Sequence, residues 1–81
     1  MNEVVMNLLN SEDYKERMKG EYLFIKDKYE KLHRTIVKYD AGTLGFDLTC
    51  SIGLLRDQAA AMGQYLYLLE VRAQIEGVEL Q

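Results

Sequence analysis

Two apolar series of matched spacing run through this chain, and one antiparallel register satisfies both. Met18, Tyr22, Ile25, Tyr29, Leu32, Ile36 and Tyr39 advance by alternating steps of four and three. Ile52, Leu55, Ala59, Met62, Leu66, Leu69 and Ala73 advance by alternating steps of three and four. This spacing keeps each series on one face of a helix of about 3.6 residues per turn. Folding the second series back on the first pairs Tyr39 with Ile52, Ile36 with Leu55, Leu32 with Ala59 and Tyr29 with Met62. Ile25 then meets Leu66, Tyr22 meets Leu69, and Met18 meets Ala73. In every layer the two residue numbers add to the same total, which is the condition for antiparallel pairing. The pattern predicts an all-α fold, an antiparallel hairpin of two long helices packed like a coiled coil.

The chain has no proline to interrupt either helix. One helical-hairpin domain is expected over residues 1–81, with a short N-terminal helix or arm at 1–10 and a first long helix at 11–40. A loop at 41–50 and a second helix at 51–76 complete it. Asn10 or Ser11 is expected to cap the first long helix and Ser51 the second, each accepting from an otherwise unpaired amide of the first turn. Gly42 and Gly77 suit the left-handed residue that ends a helix, and the residues after Gly77 are expected to fray. Asp13 with Arg17, Asp27 with Lys31, and Glu30 with Arg34 stand four apart with the acid first, the favourable order.

The seam leaves apolar surface over. Leu54, Ala61, Tyr65, Leu68 and Ile75 form a second stripe on the second long helix. Leu23 and Phe24 lie off the seam of the first, and the arm holds Val4, Val5, Met6, Leu8 and Leu9. Two helices cannot bury both stripes of one of them. Either the arm or another protomer is expected to cover the remainder, since exposed apolar area costs roughly 25 cal/mol per Å². An 81-residue chain also buries a small share of its surface alone. Both arguments favour a homo-oligomer. Gly63, inside the second helix, costs up to about 1 kcal/mol relative to alanine and implies a packing reason. The register sets it beside the ring of Tyr29.

Composition narrows the function. The net charge is -3, which disfavours duplex DNA or an anionic membrane as the main partner. No apolar run approaches the roughly 18 residues of a membrane span, and no basic region precedes the N-terminal apolar residues as in a secretory signal. The single cysteine, Cys50, excludes an internal disulfide framework and fits a reducing, cytoplasmic setting. The single histidine, His33, has Glu30 as its nearest partner at helical spacing, but Glu30 is better matched to Arg34, and Cys50 has no neighbouring base. No paired-carboxylate, zinc or serine-hydrolase motif is visible. The expectation is a binding protein, not an enzyme, without catalytic residues, cofactor or metal.

Aromatic and cationic residues remain as candidate ligand contacts. Tyr14, Tyr65 and Tyr67 lie off the seam. The first long helix carries most of the basic residues, which isolates Arg56 and Arg72 on the second. Arg72 lies between Leu68 and Ile75 and calls for an acid of another protomer, an anionic ligand, or a path for its head group to water.

The chain between Tyr14 and Gly77 resembles small helical-hairpin proteins encoded by phages and prophages of gut Firmicutes and by crAss-like phages. The resemblance rests on a Y-x-x-R helix start, here Tyr14 and Arg17. It rests further on a Q-x-x-x-M-x-x-Y-x-x-x-L-x-x-R helix, here Gln58, Met62, Tyr65, Leu69 and Arg72. Such proteins are distantly similar to the hairpin domain of anti-CBASS and anti-Thoeris sponges, which are oligomers that trap signalling nucleotides between protomers. The resemblance implies a non-enzymatic anti-defence protein of the host cytoplasm that sequesters a cyclic nucleotide or related immune signal. Tyr14, Arg17, Lys26, Tyr65 and Arg72 supply the aromatic faces and cations that such a ligand requires. The alternative is an anti-CRISPR-like phage inhibitor that binds a host defence protein directly, which the acidic balance would suit.

Overall fold

The computed structural model describes residues 2–81, so residue 1 of the expected arm lies outside it. Three helices follow one another among the described residues: α1 (Glu3–Leu9), α2 (Tyr14–Ala41) and α3 (Ile52–Glu76). α2 and α3 pack as an antiparallel hairpin, and α1 packs on α2. The fold is all-α, as the apolar spacing predicts.

The register is the expected one. A Cβ placed on Gly63 would lie 3.4 Å from Cε1 of Tyr29, and the Tyr22 hydroxyl donates to Oε2 of Glu70 at 2.6 Å. Both pairs sit within one residue of the predicted layers. Met18, Tyr22, Leu66 and Leu69 form the core cluster, with Ile25 and Tyr29 packed against it. The buried apolar residues of the hairpin (Met18, Tyr22, Ile36, Leu66, Leu69 and Ala73) all belong to the two predicted series. The seam is driest where α2 begins and α3 ends, and it opens towards the loop, where Tyr39 is 44% exposed. The asymmetry has a cause. Val78 and Leu80 fold back against the core cluster, and the Val78 amide donates to the Ala73 carbonyl at 2.9 Å. The residues after Gly77 therefore do not fray away from the hairpin.

The helix ends follow capping chemistry, with one shift from expectation. Asp13, not Asn10 or Ser11, caps α2, its carboxylate accepting from the Lys15 amide at 2.9 Å. Ser11 instead accepts from the Asp13 amide at 3.1 Å and donates to Glu16, which shapes the turn before the cap. Gly42 closes α2 at φ 74° and Gly77 closes α3 at φ 70°, where an L side chain would be strained. Ser51 caps α3 by accepting from the Leu54 amide at 3.1 Å.

At the loop end, Nη1 of Arg56 donates to Oδ2 of Asp40 at 3.1 Å and ties α3 to α2. That hydrogen bond holds the Asp40 carboxyl below its ordinary value. A carboxyl lowered in the fold contributes at neutral pH and loses its contribution as pH falls through the lowered value. The thermal midpoint of the protein is therefore expected to fall on acidification below about pH 4, and Asp40→Asn should flatten that acid limb. An unchanged limb in the variant would refute this assignment.

α1 lies against α2 at Gly20, and among the described residues it makes no packing contact with α3. A Cβ on Gly20 would lie 2.9 Å from both the Leu8 Cβ and the Leu9 amide nitrogen. The arm thus covers part of α2, with Val5 buried and Leu8 and Leu9 half-buried. It leaves the second stripe of α3 open. Gly63 is the opposite case, because an added methyl would meet Tyr29 at ordinary contact distance. Gly63→Ala is expected to stabilise the protein by about 0.5–1 kcal/mol through helix propensity, measured by urea titration.

Candidate functional site

The hairpin sets the first turn of α2 beside the last turns of α3, and this brings three of the five candidate residues to one flank. Tyr14 opens α2, while Tyr65 and Arg72 stand two turns apart on one side of α3. Arg72 donates from Nε to Oε2 of Glu76 at 2.9 Å, within its own helix. Its side chain remains about half exposed. The Tyr14 hydroxyl lies beside the same Glu76 carboxylate, and the Tyr65 hydroxyl donates to Glu21 of α2. Two tyrosines and one arginine thus share this flank, and a carboxylate pairs with the polar end of each.

The electrostatics follow from these neighbours. The hydrogen bond from Arg72, its largest influence, draws the Glu76 carboxyl below its usual range. The same bond raises Arg72 further. Tyr14 is raised by partial loss of water and then by the Glu76 charge, with Arg72 opposing. Tyr65 is raised first by its bond to Glu21 and then by burial. All four groups keep their ordinary charge at neutral pH. The flank thus carries a cation near two tyrosines, with Glu76 as the anion that pairs it within α3.

Arg17 and Lys26 stand elsewhere. Nη1 of Arg17 donates to the Ser11 and Glu12 carbonyls, each at 2.8 Å, and so braces the turn between α1 and α2. The Lys26 amino group sits 5.8 Å from the centroid of the Tyr22 ring. It borders a 270 Å³ groove on another side of the hairpin, with Tyr29, Gly63, Tyr67 and Glu70. His33 stacks on Tyr29 with centroids 6.1 Å apart, and Cys50 is exposed in the loop. No group of three or more potential metal ligands occurs among the described residues.

The acidic partners Glu21, Glu70 and Glu76 were not among the sequence candidates. The register carries the signal for two of them, since it sets residue 76 level with residue 15, beside Tyr14, and residue 70 level with residue 21, beside Tyr22. Residues 12–75 match the family model described as Sequestin. No curated protein and no solved structure matches the chain.

Proposed function

The chain belongs to the Sequestin family, and on that premise we propose that it is a non-catalytic phage anti-defence protein that sequesters a cyclic nucleotide or related immune signal in the host cytoplasm. The family name denotes sequestration, which is binding and not turnover. No helix among the described residues is long and apolar enough to cross a membrane. The observation that carries the finer reading is the convergence of Tyr14, Tyr65 and Arg72 on one flank of the hairpin. Phenol rings stack on bases, and a guanidinium makes paired hydrogen bonds to phosphate. Assembly as a homo-oligomer supports capture, because a lone hairpin presents these groups on an open surface and a neighbouring protomer would wall them in.

The test is a thermal-shift and calorimetric screen against cyclic di- and trinucleotides and cyclic ADP-ribose isomers. Ligand that binds only the native state raises its stability in proportion to the logarithm of ligand concentration over Kd. At least one member of the panel should raise the melting temperature. Arg72→Ala should then weaken that ligand about tenfold or more. Glu76→Gln, which removes the internal competitor, should leave affinity equal or higher. A panel with no shift and no heat would reject the sequestration reading in favour of direct binding to a host defence protein.

A further inference from the structure

We propose that the groove at Gly63 is a purine site that selects guanine over adenine. Tyr67 of this groove stands two residues from Tyr65, which turns it by about 200° round α3 and sets the groove on the other flank from Arg72. The floor of the 270 Å³ groove is bare backbone at Gly63, which the register sets level with residue 28, midway between Lys26 and Glu30 of α2. A methyl there would meet Tyr29 at 3.4 Å, an ordinary contact, so the fold tolerates alanine. The groove does not, because the methyl would stand on its floor. Tyr29 borders this floor. Tyr67, one turn beyond Gly63, leans back over it, as helical side chains cover the preceding turn. Tyr67 is 58% exposed, an aromatic face that the fold itself leaves unused. A flat ring laid on Gly63 thus meets two phenol rings.

Lys26 and Glu30 supply the polar edge. They stand four residues apart on α2, about 6 Å along the helix, and both line the groove. Among the described residues neither forms an ion pair. Glu70, the other carboxylate of the groove, already accepts from the Tyr22 hydroxyl at 2.6 Å, so Glu30 is the free acceptor. The Lys26 amino group lies 5.8 Å from the centroid of the Tyr22 ring, a contact that leaves its three donors open. An ammonium beside a carboxylate matches the edge of guanine, which carries the O6 acceptor next to two donors, N1–H and the 2-amino group. Lys26 donates to O6, and Glu30 accepts from both donors. Adenine inverts this edge. Its N1 is an acceptor and would face the Glu30 carboxylate, lone pair against lone pair. Two carboxylates to one ammonium also disfavour phosphate as the anchoring group, which leaves the base as the part that is read.

The groove gives Lys26 a ligand-facing role that the Arg72 flank does not, and it does so within one chain. That the guanine belongs to a signalling nucleotide rests on the sequestration reading. The preference of the groove for guanine does not. One base cannot occupy both flanks of the hairpin, so substitutions separate the two sites.

Calorimetry with 5′-GMP, 5′-IMP and 5′-AMP tests this, since sugar and phosphate are common to all three. GMP should bind about tenfold or more tightly than AMP, and IMP, which lacks the 2-amino group, should fall between them. Glu30→Ala should bring GMP down to the level of AMP. Gly63→Ala should keep its helical circular dichroism signal without loss of stability, and yet lose most of its affinity for GMP. No heat with GMP up to about 5 mM, or equal affinities for GMP and AMP, would overturn the proposal. So would GMP binding that survives Glu30→Ala and Gly63→Ala but is lost in Arg72→Ala, because the base would then sit on the other flank. GMP held in the groove with no response to any cyclic nucleotide would support the groove and reject the sequestration reading. A cyclic nucleotide held through Arg72, with no GMP in the groove, would do the reverse.

Discussion

Leu69→Ala is expected to lower the free energy of unfolding by about 2–5 kcal/mol, the cost of emptying a well-packed leucine site. Leu69 is 2% exposed and lies in the cluster with Met18, Tyr22 and Leu66. The site has little room to collapse, because the tail residues Val78 and Leu80 close over the same cluster. Alanine is the better helix former, so α3 keeps its propensity and the loss is one of packing. The change is large relative to the roughly 5–15 kcal/mol that ordinary domains possess. Urea titration should show a lower midpoint with an unchanged slope. Val37→Ala, at a site 51% exposed, should stay within about 0.5 kcal/mol of the parent. Equal losses at the two positions would mean that the seam does not carry the stability of the fold.

That seam was legible because it is a property of spacing. Alternating steps of three and four fix a helix face, and two series with one constant total fix a register. Nothing about partners or solvent is needed for that. The position of α1 was not legible, because it depends on a missing side chain. A lone glycine within a helix can relieve a bulky ring, as Gly63 does at Tyr29, or admit a backbone, as Gly20 does at Leu8 and Leu9. Spacing does not separate these cases. Arg17 is a candidate phosphate ligand by residue type, and in the structure its Nη1 donates to the Ser11 and Glu12 carbonyls. That outcome depends on a turn whose shape capping at Asp13 decides. The flank of Tyr14, Tyr65 and Arg72 was legible as residue types, and the antiparallel packing supplied the convergence. The second stripe of α3 was also visible in the spacing, but only the placement of α1 shows that the chain leaves it uncovered.

Gly20→Val is expected to cost about 1–3 kcal/mol or more, and to act on α1 before it acts on the hairpin. The first added carbon would meet the Leu8 Cβ and the Leu9 amide nitrogen at 2.9 Å. A flexible side chain could swing aside, but the Leu9 nitrogen is backbone and moves only with its helix. Valine recovers some of the helix propensity that glycine forgoes, and its branched side chain adds bulk that outweighs this small gain. α1 has only seven residues, too few to remain helical once undocked. Displacement of α1 is therefore its unfolding, and it exposes Val5 and Leu8 together with Leu23 and Phe24 of α2. Amide hydrogen exchange separates this local event from global loss. The Met6 and Asn10 amides, which donate to Asn2 and Met6 carbonyls at 3.1 Å, should lose protection in the variant. The amides of α3 around Leu66 and Leu69 should keep theirs relative to the global limit. Unchanged protection in α1 would show that the helix adapts to the added bulk, and that the close approach at Gly20 is not what holds it in place.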